Sequence, residues 1–167
     1  MPRSFDFAIE SSASVDAIRW AYSEKGYWLA RLAAGGGIGR LDSFLVAADN
    51  SVAVAIIQDL RKELLPGIAA RFYPRMWQME HNETWRPTDG GVVRGEISIV
   101  AHGAPGSGIG TAVLAPAHNG SRLTGTATVE FNVPFVGGQV ESLIGRQLVQ
   151  ELSDLQRFTS EWISQNA

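Results

Sequence analysis

Five residues at alternate positions carry the side chains in this chain that are best suited to chemistry. Trp77, Met79, His81, Glu83 and Trp85 are spaced two apart, so a β-strand places all five on one face. Two tryptophans and a methionine make a broad apolar wall, whereas a histidine and a carboxylate can orient a ligand or move a proton. His81 and Glu83 are therefore candidate catalytic residues, although no catalytic role is assigned to them.

Two alternatives remain open for this stretch. Either His81 and Glu83 lie near the open end of a sheet and are solvated, or the opposite face of the strand points inward. If Glu83 is buried it needs a partner, because an unpaired buried polar group costs about 1–3 kcal/mol and an unpaired charge costs more. The expected partners are Arg94 and His102 on the next strand.

The other chemical patterns lead to no site. His81, Glu83, His102, His118 and Asp59 could be proposed as metal ligands, but they lack the spacing of known zinc motifs, so no metal is expected. The glycine-rich segments 35–39 and 106–110 lack the context of a phosphate-binding loop. Ser107 and Ser121 lie in glycine-rich turns with no nucleophile elbow. No cofactor is expected.

Composition bounds the class of protein. The chain has 167 residues, of which 45% are apolar and 19% charged, and a net charge of −3. These values fit one globular domain over residues 1–167 and leave no basic surface for nucleic acid. Cysteine is absent, which excludes thiolate chemistry and favours a reducing, cytoplasmic location. No apolar run is long enough for stable membrane insertion.

The order of elements predicts an α+β protein. Phe5, Phe7 and Ile9 alternate as in a strand with one buried side, and Ser14 then precedes two short helices that end at Gly35-Gly36-Gly37. Turn signals such as Asp89-Gly90 next separate short segments of strand character. The resulting strands are placed near 38–48, 51–61, 76–86, 92–102, 107–115 and 122–132.

Two segments are predicted to be helical beyond this point. Residues 62–74 have apolar side chains three and four apart, which indicates a short amphipathic helix that packs on the rim, covers a cavity or contacts a partner. A long stripe from Val140 to Ile163 predicts one helix of about 25 residues. A curved antiparallel sheet of about seven strands wrapped around this helix is the helix-grip architecture. The glycines expected to curve the sheet through bulges are Gly36, Gly95, Gly108, Gly110 and Gly125.

Several segments resemble an uncharacterised actinobacterial family of the START-like superfamily, which also holds birch-pollen-allergen-like proteins, polyketide cyclases and lipid-transfer domains. They are YWLARL at 27–32, QDLRKELLPG at 58–67, ETWRP at 83–87, GAPGSGIGTAVLAP at 103–116 and VPFVGGQVES at 133–142. The resemblance covers nearly the whole chain. It implies a helix-grip fold with an internal cavity, which superfamily members typically use for lipids, sterols or polyketides. It carries no catalytic residues over to this chain.

The leading hypothesis is binding or carriage of a hydrophobic small molecule in that cavity. The residues expected to line it are Trp28, Trp77, Met79, His81, Trp85, Phe131, Ile144 and Leu148. The first alternative is a cyclase, dehydratase or isomerase that uses His81 and Glu83 as proton carriers in the same cavity. The second is a non-enzymatic interaction module or homodimer that pairs through a sheet edge or through residues 62–74.

Overall fold

The computed structural model describes residues 2–36, 39–60, 77–103, 106–132, 135 and 137–167, except for the side chains of Leu60 and Trp77. In chain order, β1 (Arg3–Ser11) precedes α1 (Val15–Tyr22) and α2 (Lys25–Ala34). The following strands are β2 (Gly39–Val46), β3 (Val52–Leu60), β4 (Trp77–Thr88), β5 (Val92–His102), β6 (Gly106–Ala117) and β7 (Gly120–Phe131). The last described element is α3 (Gly137–Asn166), a helix of 30 residues.

The described strands form one sheet of seven in the order β1-β7-β6-β5-β4-β3-β2, and every pairing between neighbours is antiparallel. Strands β2 to β7 follow one another as a meander. The first strand instead pairs with the last, and β1 and β2 lie at the two edges. Helices α1 and α2 connect β1 to β2, at the opposite edge of the sheet.

The two short helices form where local signals place them. The side chain of Ser14 accepts a hydrogen bond from the Ala17 amide at 3.1 Å and so caps the N-terminus of α1. The Trp28 indole donates to the Tyr22 carbonyl at 2.8 Å, which satisfies a carbonyl at the end of α1. Ile18, Tyr22 and Trp28 are buried. This bond fixes α1 and α2 against each other at the edge of the interior.

Helix α3 lies over one face of the sheet. Val140, Thr159 and Ile163 on its inner stripe are buried, and the Phe5 ring of β1 lies directly against Gly145. Near the other end of the helix, Ser160 shares a 2.7 Å hydrogen bond with Ser11. The helix is therefore held to the sheet both at its N-terminal part and at its C-terminal part.

Glycine has a different use here from the one expected. Within the described pairings, the one register shift lies in β2 between Leu41 and Ser43 and not at a glycine. Gly95 and Gly125 lie directly opposite Trp85 and Phe7, whose rings cover them. These two positions accept an aromatic ring across the strand, so the expectation of bulges at them is wrong.

The predicted fold is confirmed. The curved antiparallel sheet, the two short helices after the first strand and the long C-terminal helix are all present. The long helix is 30 residues, against the predicted 25 or so, because it begins at Gly137 and ends at Asn166. The amphipathic helix predicted for residues 62–74 lies outside the described residues.

Candidate functional site

One end of the interior is filled by aromatic side chains. The Tyr22 ring lies 4.9 Å from Trp85, 5.7 Å from Trp28 and 5.5 Å from Tyr27, measured between ring centroids. All four residues are buried, and Trp28 and Tyr27 have no exposed surface. The Tyr27 hydroxyl shares a 2.8 Å hydrogen bond with Thr159 of α3. This aromatic cluster (Tyr22, Tyr27, Trp28 and Trp85) closes that end of the interior.

A buried ionic cluster lies next to the aromatic cluster. The Arg31 guanidinium of α2 binds Glu83 of β4 through two bonds, Nη2 to Oε1 at 2.7 Å and Nη1 to Oε2 at 3.2 Å. The Trp85 indole donates to Oε2 at 2.9 Å, and His81 Nε2 lies 2.9 Å from Oε1. We call Arg31, His81, Glu83 and Trp85 the Glu83 cluster. Four nitrogen contacts thus satisfy a carboxylate whose side chain is 5% exposed.

The electrostatics of this cluster hold Glu83 in its charged form. Burial by itself raises the pKa of Glu83. The Arg31 charge and the hydrogen bond from His81 lower this pKa by more, so it lies well below the ordinary value. For Arg31 the two effects are reversed, because burial lowers its pKa and the Glu83 carboxylate raises it by more, to above the ordinary value. Glu83 therefore does not exchange a proton near neutral pH.

The partners expected for Glu83 are wrong. Arg94 is exposed and lies opposite Arg86, and the described bonds of His102 go to Glu80, whose carboxylate is 3.0 Å from His102 Nε2. Residues 80, 94 and 102 lie on the outer face, since strand alternation places them opposite in direction to buried Glu83. The partner is Arg31, whose guanidinium also lies 5.0 Å from the Trp28 ring centroid.

Next to Glu83, the inward face of β4 and β5 is mostly apolar, and its side chains are less buried than Glu83. Met79, His81, Ile97 and Ile99 share the inward face of β4 and β5 with Glu83, yet all four are half-buried. On β6 the same inward face carries Gly106, Gly108 and Gly110, which have no side chain. Gly108 lies opposite Ile99, and Gly110 lies opposite Ile97.

A methyl group fits at two of these glycines. A methyl group added at Gly108 or Gly110 would find its nearest atom at 3.6 Å, an ordinary van der Waals contact. Ile109 between them points outward and is 65% exposed. The sheet therefore presents bare backbone on its inward face beside the Glu83 cluster.

The inward stripe of α3 is buried unevenly along its length. Its ends are buried at Val140 and at Thr159, but residues of the middle of the stripe, among them Ile144 and Leu148, are half-buried. The other two such residues are Leu152 and Leu155. Large apolar side chains in the middle of α3 are therefore less fully packed than the two ends of the stripe. We call the region between the middle of α3 and the inward glycines of β6 the α3–β6 interior.

The remaining residues predicted to contact a ligand lie at different depths. Trp85 and Trp28 belong to the closed aromatic end, whereas Met79 and His81 are half-buried on β4 and Ile144 and Leu148 are half-buried on α3. Phe131 at the end of β7 is 5% exposed, and its amide donates to buried Glu141 at 3.0 Å. The Trp77 side chain lies outside the described residues. Arg31 and the inward glycines of β6 were missed by sequence reasoning.

Two depressions of about 350 Å³ and 290 Å³ occur elsewhere, around the β6–β7 turn. Their lining includes His118 and exposed Arg122 and lies apart from the Glu83 cluster. We do not regard them as the site, because the buried polar side chain in their lining, Ser121, already donates to the Ala13 carbonyl at 2.7 Å, and exposed polar residues interrupt the rest of the lining. In the described part of the chain, no three acidic or histidine side chains are grouped as a metal would require. No helix there has the length and apolar character needed to cross a bilayer.

The fold is the helix-grip fold of START-like proteins. It is similar to the crystal structure of Ara h 8.0201, with a TM-score of 0.57, 10% identity and coverage of 99% of this chain and 100% of that one. Norcoclaurine synthase from Thalictrum flavum gives a TM-score of 0.51 and 19% identity, with 98% of this chain and 87% of that chain covered. At these identities the likeness shows the fold alone.

Within that class, the chain belongs to the family described as protein of unknown function DUF2505, whose model matches residues 6–163. An uncharacterised protein of Mycobacterium tuberculosis is 36% identical over 173 residues, with 99% of both chains covered. An uncharacterised protein of Mycobacterium bovis matches to the same extent. The resemblance to an uncharacterised START-like family is thus confirmed.

Proposed function

We propose that this protein binds a hydrophobic small molecule in the α3–β6 interior. The observation that carries the proposal is the half-buried middle of the inward stripe of α3, which lies between two buried ends. Each methylene that a ligand buries there contributes about 0.8 kcal/mol. An aliphatic or polycyclic molecule of modest size gains useful affinity from that term alone. Lipids, sterols and polyketide-like molecules have this chemistry.

The ligand-contacting residues proposed for this site are those that border the space. They are Met79 and His81 on β4, Ile144 and Leu148 on α3, and Gly110 on β6, whose bare backbone gives the ligand room. The aromatic cluster forms the closed end of the proposed site, because its buried rings leave no passage for a ligand between α1 and the sheet. This division of roles assigns binding to the half-buried residues and rigidity to the buried ones.

The test is titration with N-phenyl-1-naphthylamine, a neutral dye whose fluorescence rises in apolar surroundings. Gly110→Phe fills the interior and is expected to weaken dye binding at least tenfold, while Ile109→Phe adds the same ring on the outer face and leaves binding unchanged. Both variants are first checked for cooperative thermal unfolding. Equal binding by both, or no binding by the native chain, contradicts the proposal.

Native mass spectrometry of protein purified from its own cells provides a second test. A co-purifying apolar molecule that is absent from Gly110→Phe and present in Ile109→Phe supports the site and identifies the ligand class. If denaturing extraction yields the same molecule from both variants, the bound molecule occupies another place on the protein.

A proton-transfer enzyme of cyclase, dehydratase or isomerase type is the second candidate. It is favoured by one observation, a histidine held by a carboxylate at the border of an apolar interior. Glu83 cannot serve as its proton carrier, since its pKa is held well below the ordinary value. His81 alone remains for that role. Turnover of a trial substrate that survives His81→Gln would contradict this candidate.

We also propose that residues 1–167 form one START-like domain and that the protein acts in the cytoplasm.

Homodimerisation is the proposal that competes with ligand binding, and the described edge strands β1 and β2 offer the surfaces for it. Sedimentation equilibrium over a wide range of concentration tests it. A single monomeric species at all concentrations would contradict the dimer and leave the ligand-binding proposal untouched.

A further inference from the structure

The hydrogen bonds of the Glu83 cluster fix the proton of His81. Arginine and the tryptophan indole can only donate, and they supply three bonds to the carboxylate of Glu83. The carboxylate is therefore acting as an acceptor on both oxygens. His81 Nε2 lies 2.9 Å from Oε1, so Nε2 must carry the hydrogen and donate it. In the neutral ring the other nitrogen, Nδ1, is then a hydrogen-bond acceptor.

The surroundings of His81 make this acceptor unusual. The described interactions of the side chain all go to Glu83, and 18% of the side chain is exposed. Its direct neighbours across the sheet are Ile56 on β3 and Ile99 on β5, both apolar. Among its described neighbours across the sheet, His81 thus offers a lone-pair acceptor flanked by apolar side chains.

We propose that the molecule bound in the α3–β6 interior carries a hydroxyl group that donates a hydrogen bond to His81 Nδ1, as an aliphatic alcohol, a sterol or a phenol would. This inference rests on the proposed function and specifies its ligand class. A carboxylate end is disfavoured, because it has no hydrogen to donate and would approach the negative charge of Glu83. The positive charge of Arg31 does not offset this, since Glu83 binds it through two bonds.

Three naphthalenes of the same ring size test the inference by displacing N-phenyl-1-naphthylamine: 2-naphthol, 2-methoxynaphthalene and 2-naphthoate. Substituting His81 separates the two roles of the ring. In His81→Gln the amide nitrogen can donate to Glu83 and the amide oxygen remains as an acceptor, whereas in His81→Lys the ammonium donates and no acceptor remains. Circular dichroism establishes that both variants are folded.

The expected result is a ratio. The affinity for 2-naphthol relative to 2-methoxynaphthalene should be about tenfold higher in the native chain and in His81→Gln than in His81→Lys, as the loss of one hydrogen bond predicts. The same ratio in all three proteins, or tighter binding of 2-naphthoate than of 2-naphthol, would overturn the inference. In either of these two outcomes the naphthalene probes still bind, so the proposed function stands and only the inference about the hydroxyl group fails. If none of the three probes binds the native chain, the proposed function fails instead.

A measurement without ligand checks the same point if His81→Lys does not fold. Long-range ¹⁵N correlation spectra distinguish the protonated ring nitrogen from the bare one, and His102 and His118 provide internal references. The His81 signals are assigned by their loss in His81→Gln. A hydrogen on Nε2 and none on Nδ1 in the free protein supports the inference, and a hydrogen on Nδ1, with or without one on Nε2, overturns it.

Discussion

At the scale of single residues, Glu83 matters for the join it makes between two elements. Its carboxylate ties helix α2 to strand β4 through Arg31, a partner 52 positions away in the chain. Glu83 is buried and Arg31 is half-buried, so the pair is worth little relative to an apolar pair of the same shape, whereas removing one partner is costly. The carboxylate first suspected of catalysis thus has a structural explanation.

Replacing Glu83 by Gln should destabilise the protein by about 3–5 kcal/mol, because it leaves the Arg31 charge buried without a counter-charge. Urea unfolding followed by tryptophan fluorescence measures the change. Glu80→Gln is the matched control, since residue 80 lies on the outer face of the same strand and should change stability by less than about 0.5 kcal/mol. Equal effects of the two substitutions would show that the Glu83 pair contributes nothing special.

The same carboxylate predicts a dependence of stability on pH. The folded-state pKa of Glu83 is below the unfolded value, so its contribution is fully present above the unfolded pKa of about 4.3 and is lost as the pH falls below it. Unfolding free energies between pH 7 and pH 3 should therefore fall more steeply in the native chain than in Glu83→Gln. Parallel curves for the two proteins would mean that other groups control acid unfolding.

At the scale of elements, aromatic rings and glycines are paired across the interior. The Phe5 ring of β1 occupies the place that a side chain at position 145 of α3 would need, just as the Trp85 ring covers Gly95. These contacts bring the helix and the strands closer than larger residues would allow. The Phe5–Gly145 contact thus fixes the distance between α3 and β1 at that point of the interior.

Gly145→Ala should destabilise the protein by about 1–2 kcal/mol, although alanine is the better helix former, because the new methyl group meets the Phe5 ring. Gly26→Ala in α2 is the control, since nothing lies within 4 Å of a side chain there and the change should stabilise by up to about 1 kcal/mol. Thermal unfolding measures both. In a Phe5→Leu background the cost of Gly145→Ala should shrink, and an unchanged cost would rule out the ring as its cause.

The sequence predicts some of these features and not others, for physical reasons. The shared face of Met79, His81, Glu83 and Trp85 follows from the two-residue period of a strand. The Arg31 partner does not follow, because it depends on how α2 is rotated above the sheet, which involves contacts distant in the chain. The contact of Gly95 with the Trp85 ring does not follow either. A glycine within a strand can mark a bulge or a close contact with a ring, and the sequence looks the same in both cases.

At the scale of the whole molecule, one end of the interior is more closely packed than the middle. The aromatic cluster and the Glu83 cluster pack that end, whereas the apolar side chains in the middle of α3 are half-buried. No pattern in the sequence distinguishes these two situations, because the same apolar residues can line a cavity or fill it. The distinction arises only from the curvature of the sheet and the height of the helix.

A ligand that enters this interior should stabilise the whole fold. At a free concentration one hundred times its dissociation constant, a bound molecule adds about 2.7 kcal/mol, which corresponds to a rise in melting temperature of roughly 5–10 °C for a domain of this size. Differential scanning calorimetry with 2-naphthol measures the rise. Gly110→Phe should melt at the same temperature with and without the probe, and a similar rise in that variant would place the bound probe elsewhere.

The pairing of the first strand with the last has a consequence for synthesis of the chain. Ser4 and Thr128 share a hydrogen bond although 124 positions separate them, so β1 leaves the ribosome long before its partner exists. The meander from β2 to β7 can assemble hairpin by hairpin as it emerges, because each strand pairs with the one just made. The alternating phenylalanines of β1 stay without a sheet during that time. β1 can therefore join the sheet only after β7 has been synthesised.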